Sequence, residues 1–261
     1  MYTILYVGPC VDGSTTEDRA RCLEALGHQV IRFNTKRFEH SVNRLSLSLA
    51  YRFNYGRIIF DLNQSLKLES YKYDLVWIDK GVWLEKETLN LLKKRSSRNF
   101  VVHFTPDAQF LQHSSTLFED CIKVYDLLVT TKLFERHLYR NTGVEYMVVK
   151  QGYSRTFDLI RERPNQNRQN QLVFIGHSQR QYVKKINKIA KAGLPHEVHG
   201  PGWLRKALYY NKIRAVSNGL WGLEYVMKLS NTTIGLGLLS KYIPETSTTR
   251  SFEIPASGAL L

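Results

Sequence analysis

Twice in this chain a short apolar run ends at a glycine and leads into a helix with a polar first turn. In the first case, residues 2–7 (Tyr-Thr-Ile-Leu-Tyr-Val) run into Gly8-Pro9-Cys10-Val11-Asp12-Gly13-Ser14. Ser14 and Glu17 have the spacing of a capping box, and Ala20, Leu23 and Leu26 share one face of the helix that follows. Gly27 ends that helix, and residues 28–33 read as the next strand. In the second case, residues 172–175 (Leu-Val-Phe-Ile) run into Gly176-His177-Ser178-Gln179-Arg180. The helix beyond carries Arg180, Lys184 and Lys188 on one face and Val183, Ile186 and Ala190 on another. A strand, a glycine loop and a helix in this order open a doubly wound parallel sheet, so the chain is predicted to be α/β. The first loop lacks the full dinucleotide glycine fingerprint, which argues against bound NAD.

The remaining elements fit two such sheets. Strands are predicted at residues 74–78, 100–104, 125–130 and 146–149, and helices at 84–94 and 132–139. Residues 37–70 read as mainly helical. Residues 161–171 are polar apart from one proline, which marks a linker. The expected domains are therefore 1–160 and 172–261. In the second, strands are expected at 196–199, 233–237 and 259–261, and a helix at 220–229.

A chain of 261 residues with 43% hydrophobic content can bury two cores. No apolar run reaches the ~18 residues of a membrane span, and Met1 leads straight into a strand rather than a signal peptide. Cys10, Cys22 and Cys121 are widely spaced and lack metal-ligand spacing, which predicts reduced thiols and a cytoplasmic protein. The net charge of +14 suits an anionic partner: nucleic acid, acidic lipid or a phosphorylated substrate. No zinc-finger spacing, aromatic RNA-binding motif or dense basic tail is present, so nucleic acid is not expected.

The densest chemistry lies near the end of the sequence. Ser247 to Thr249 can cap a helix carrying Arg250 and Glu253, and Gly258 can end it. Seven residues separate Glu245 from Glu253. Glu253 could accept hydrogen bonds from a ribose diol, and Glu245 could reach a sugar beside the phosphates. Arg250 could pair with phosphate or hold Glu253. The same residues would also make an ordinary capped helix with surface charges. Gly176 with Arg180 and Lys184 offers a cradle for a diphosphate. In the first domain, Asp12, His103 and Asp107 lie at strand ends, where such sheets place catalytic groups. His103 can equally be a core residue, and Asp107 a turn cap. His196 and His199 alternate along a strand without further ligands nearby, so no metal is expected.

A resemblance joins these pieces. Val173-Phe174-Ile175-Gly176, Val198-His199-Gly200-Pro201-Gly202-Trp203, Tyr225, Ile234-Gly235-Leu236-Gly237 and Arg250-Ser251-Phe252-Glu253-Ile254-Pro255-Ala256-Ser257-Gly258 resemble the spore-maturation-type glycosyltransferases of the glutamate-motif GT-B class. Residues 125–132 also fit, whereas residues 35–70 fit weakly. The resemblance implies two Rossmann-like domains facing across a cleft, the second holding a nucleoside-diphosphate sugar and the first an acceptor. Glu253 matches the ribose-binding glutamate, and Glu245 matches more weakly a glutamate near the donor sugar. Gly176 and Arg180 match the phosphate-side loop, and Gly200 to Trp203 match a loop near the nucleobase. Tyr225, Arg250, Ser257 and Gly258 fall in the same donor-binding set. Such enzymes need no metal or other cofactor, because Arg, Lys and a helix dipole neutralise the leaving diphosphate.

The implied acceptor is a glycan or lipid-linked molecule, with an anionic membrane surface as a further partner and a place at the inner face of that membrane. Asp107, then Asp12, then His103 are the candidate bases for an inverting transfer. The family continues past the glutamate motif, whereas this sequence stops at Leu261, so a C-terminally truncated second domain is expected. A non-catalytic sugar-nucleotide or glycan-binding module and a basic nucleic-acid binder are the alternatives.

Overall fold

The computed structural model describes residues 1–111, 113–161 and 167–261, and divides into two compact units, Met1–Lys150 and Gln151–Leu261. The first is a six-stranded sheet of β1 (Thr3–Gly8), β2 (Gln29–Asn34), β3 (Leu75–Asp79), β4 (Val101–Thr105), β5 (Leu127–Thr130) and β6 (Tyr146–Val148). Their order is β2-β1-β3-β4-β5-β6, and every pair is parallel. Parallel strands covered on both faces are apolar throughout rather than alternating. Ile4, Leu5, Tyr6 and Val7 of β1 are all buried.

The expected capping box is half made. The Ser14 hydroxyl accepts from the Glu17 amide at 3.2 Å, capping the helix Thr15–Ala25. The Glu17 carboxylate instead accepts from Arg32 on β2, at 3.0 Å, and from Arg21. Residues 36–68 form three helices, Lys36–His40, Arg44–Phe53 and Arg57–Leu68. Asn43 caps the second of these and Asn54 closes it with φ 51°. Ile58, Leu62 and Leu66 of the third seal the core of this unit.

Strand order reverses between β1 and β3, and the carboxyl ends there carry a buried charge. Asp79, 1% exposed, accepts from the Tyr6 hydroxyl at 2.6 Å and from Arg19 at 2.7 and 3.0 Å. Gly8 is required beside it, since a Cβ there would lie 2.9 Å from the Asp79 Cβ. Arg19 also covers the Phe104 ring at 4.5 Å, which ties β4 into the same cluster.

The second unit holds β7 (Gln169–Ile175), β8 (His196–His199), β9 (Ala215–Ser217) and β10 (Thr232–Gly235), in the order β10-β7-β8-β9 and parallel. Leu260 adds a single parallel bridge to Ile234 where a full strand is expected. Two divisions differ from those expected. The second unit starts at Gln151, because Phe157 and Ile160 are buried against Val173, Val226 and Ile254. Strand β7 begins at Gln169, inside the expected linker 161–171, of which residues 162–166 lie outside the described residues. The Trp203–Ala207 helix and β9 occupy sequence that carries no clear periodicity.

Removing the buried carboxylate strands the two groups that bond it. Asp79→Ala leaves Arg19 and the Tyr6 hydroxyl facing an apolar core. Because Arg19 is partly exposed, the expected loss is about 3 kcal/mol, the low end for a broken buried pair. Urea denaturation of the variant against the parent protein checks this.

Candidate functional site

The carboxyl edge of the second sheet is built from backbones in unusually close contact. Gly176 ends β7 and Gly200 ends β8, and a Cβ on Gly200 would lie 2.1 Å from the Gly176 carbonyl oxygen. No side chain fits there, and φ of 137° at Gly200 also favours glycine. The indole N–H of Trp203 donates to that same carbonyl at 2.7 Å. Trp203 is wholly buried, packed against Phe174. Its place is behind the loop, which corrects the expectation that it meets a ligand.

Arg250 approaches Gly176 from the other side. A Cβ on Gly176 would lie 3.3 Å from its Nη1. The guanidinium covers Phe174 at 5.5 Å and donates from Nη2 to the Leu238 carbonyl at 3.1 Å. Its Nε is buried and without a hydrogen-bond partner, and among the described residues Arg250 forms no ion pair. Three residues on, Glu253 is 8% exposed and accepts from the Tyr225 hydroxyl at 2.6 Å. Burial and this carboxylate push the Tyr225 phenol far up, so it stays protonated and donating. Phe157 meets the Tyr225 ring edge-on, which fixes its direction.

The loop between β10 and the helix Arg250–Ala256 is pinned over the start of the helix Arg180–Lys191. Gln181 accepts from the Lys241 amide at 3.0 Å and donates to Ser240. Glu245 lies in this loop, within electrostatic reach of Tyr182. Burial raises that phenol's pKa, Arg250 opposes the rise, and Glu245 adds to it. Gly176, Arg250, Glu253, Tyr225 and Glu245 thus belong to one edge, where strand order reverses between β7 and β10. Arg180 and Lys184 are exposed on the adjoining helix.

Two expectations for the last helix are corrected. Ser247 to Thr249 do not cap it through a side chain; the Thr248 amide donates to the Ser251 hydroxyl at 3.1 Å instead. Ser257 and Gly258 lie at its carboxyl end. The Ser257 hydroxyl donates to Ile254, and Arg168 caps the end by donating to the Ser257 carbonyl at 2.9 Å. That end is the negative pole of the helix, already neutralised by a guanidinium, and offers nothing to a phosphate.

In the first unit the three candidate bases have separate fates. Asp12 is exposed and pairs with Arg21 at 2.7 Å. His103 is 0% exposed, packed between Phe118 and Tyr125, with Nε2 at 3.2 Å from the Lys80 carbonyl. It belongs to the core, which corrects its candidacy as a base. Asp107 pairs with the Lys80 ammonium at 2.9 Å. Burial opposes ionisation of its carboxyl, but Lys80, helped by His113 and Lys132, holds it below the usual carboxylate range. Lys80 has φ 70°, a strained left-handed conformation for a non-glycine residue. Sequence inspection assigns no role to Lys80. The signal was present as Asp79-Lys80-Gly81, a charged run directly after an apolar strand.

A second buried ionic cluster lies on β8. Glu197 pairs with Lys228 and, at 3.0 Å, with Arg214. His199 bonds Ser217 at 3.0 Å, and the ring of His196 is held between the Leu194 carbonyl and the Arg214 amide.

No protein-family model matches the sequence, and no curated protein matches it. A solved structure does: AviGT4, a glycosyltransferase involved in avilamycin A biosynthesis, with a TM-score of 0.53 and 10% identity, over 99% of this chain and 77% of that one. The fold is therefore α/β of the two-domain, Rossmann-like GT-B kind, with a parallel sheet in each domain.

Burial of His103 has a consequence for pH. The unfolded chain takes up its proton near 6.5, whereas the folded protein resists until about 4. Between those values the unfolded state binds more protons, so stability falls as pH drops from 6.5 towards 4 and is retained above 6.5. The total is about 3 kcal/mol. Stability measured across this window should show a shallower acid slope in His103→Phe than in the parent protein.

Proposed function

We propose that this protein is a glycosyltransferase that takes a sugar from a nucleoside diphosphate, UDP or GDP being the expected carriers. The observation that carries this is Arg250: a guanidinium with a buried, unpartnered Nε, no ion pair among the described residues, and a place against Gly176 at the strand-order reversal. An anion relieves that arrangement, and a diphosphate presents oxygens to a planar donor fork. Glu253, oriented by Tyr225, takes the ribose hydroxyls, since a carboxylate can accept about four hydrogen bonds in all. Glu245 meets the sugar. The GT-B fold and the resemblance to the spore-maturation-type enzymes support the same assignment.

In the transfer, the bond from the anomeric carbon to the diphosphate oxygen breaks and negative charge grows on the leaving group. Arg250 stabilises that charge, aided by the exposed Arg180 and Lys184, and no metal is needed for this role. In an inverting reaction the acceptor oxygen bonds the anomeric carbon as its hydroxyl proton passes to Asp107, which Lys80, His113 and Lys132 help keep ionised. The proposed acceptor is a glycan or a lipid-linked molecule at an anionic membrane. No described helix is long and apolar enough to cross a membrane.

Calorimetry with UDP and GDP tests the donor site. Arg250→Ala and Glu253→Ala should each weaken binding by roughly ten- to a hundredfold, the equivalent of about 1.5–3 kcal/mol for a charge-assisted contact. Unchanged affinity in both variants removes this edge from the donor site. Sugar release from the donor separates an enzyme from a binding module that holds nucleotide without turnover. With donor and acceptor in hand, Asp107→Asn should lower kcat about 10²- to 10⁴-fold.

A further inference from the structure

The helix Arg44–Phe53 is apolar on two sides, and only one is packed. Leu47 and Ala50 turn inwards, and Tyr51, half exposed, lies against Trp83 at 4.7 Å. Leu45, Leu49 and Phe53 fall within an arc of roughly 80° on the other side, at 71%, 45% and 62% exposure. A core helix of a globular unit places polar residues there. Directly after it, Tyr55 stands 83% exposed, and Phe60 on the next helix 60%. Leu49, Phe53 and Tyr55 border an open pocket of about 550 Å³ between this helix, the Ser41–Asn43 segment before it and the start of the next helix. Exposed apolar surface of this kind, joined at the pocket by Leu49, Phe53 and Tyr55, marks an interaction face.

Charge indicates the occupant. Residues 36–68 hold six Lys or Arg, among them Arg44, Arg52 and Arg57, against two acids, Glu39 and Asp61. Both acids are already paired, with Lys36 and Arg57. Arg52 lies over the Phe53 ring at 5.5 Å, at the border of the apolar arc. Leucine and aromatic residues on one helical face with arginines at its edge are the composition of an element lying in a bilayer interface, where aromatics enter the headgroup region and cations meet lipid phosphate.

We infer that the hairpin of helices Arg44–Phe53 and Arg57–Leu68 seats the protein on an anionic phospholipid bilayer through Leu45, Leu49, Phe53, Tyr55 and Phe60, with Arg44 and Arg52 on the headgroups. This deepens the membrane part of the proposed function and does not depend on the donor site.

Flotation of the full chain with vesicles tests it, with no donor or acceptor present. The probes are phosphatidylcholine vesicles with and without about one-third phosphatidylglycerol. The parent protein should float with the anionic vesicles, and binding should fall as salt is raised. Phe53→Ser with Tyr55→Ser should weaken it at least tenfold, since each aromatic ring loses apolar burial. Arg44→Gln with Arg52→Gln should weaken binding to anionic vesicles and flatten its salt dependence. These side chains are exposed, so thermal unfolding of the variants should match that of the parent, which separates lost binding from lost folding. The inference is overturned by absence of parent binding to anionic vesicles, by equal binding of the Phe53 and Tyr55 variant, or by light scattering that shows a dimer which this variant turns into monomer. The last result assigns the face to a second copy. Failure here leaves the calorimetric test of Arg250 and Glu253 untouched, and failure there leaves vesicle binding untouched.

Discussion

The second unit depends on a contact between two backbones. Gly200 lies so close to the Gly176 carbonyl that only hydrogen fits between them, and the Trp203 indole bonds the same oxygen from behind. That carbonyl belongs to the loop that Arg250 faces. Buried polar atoms must be paired, and a carbonyl held by an indole inside a packed aromatic cluster has no freedom to turn. The loop is therefore set before any ligand arrives. Preorganisation of this sort lets a cation stabilise developing charge without having to move first. The glycines are thus required twice over, for their backbone angles and for the absence of a side chain.

The first unit solves a related problem with charge. Asp79 draws Tyr6, Thr16 and Arg19 together at the ends of β1 and β3, and Arg19 reaches on to Phe104. One carboxylate thereby joins three strands and a helix. It does so at the reversal of strand order, where a sheet of this kind opens a crevice. Because its oxygens are occupied by these donors, Asp79 holds the edge in shape, and the residue after it, Lys80, takes a strained backbone conformation and pairs with Asp107.

Much of this was legible in the sequence. Apolar runs ended by glycine mark β1 and β7, because parallel strands are buried on both faces and a side chain at Gly8 would strike Asp79. That Arg250 and Glu253 share one short helix was legible from the sequence. What escaped depended on long-range partners. Trp203 looks like a ligand-facing aromatic until its burial is known. Ser257 and Gly258 look like part of a binding motif until Arg168, far away in sequence, is seen to cap that helix end. Glu17 looks like a capping residue until Arg32 on the neighbouring strand takes it. In each case a distant charged or apolar partner overrides a local pattern.

The sheet order of the second unit has a consequence for when its site comes into being. β10 lies beside β7 although the two are separated by the whole run through β8 and β9, and the helix with Arg250 and Glu253 comes later still. A ribosome making this chain finishes Gly176, Gly200 and Trp203 long before Arg250 emerges. Until then the growing chain has an exposed flank on β7, where β10 will pair, and no Arg250 beside Gly176. Closure over so many residues is a late and slow event compared with forming a local helix. The nascent chain therefore lacks both the β7–β10 pairing and the Arg250 guanidinium during most of its synthesis, and this edge takes its shape only when β10 and the Arg250–Ala256 helix have docked.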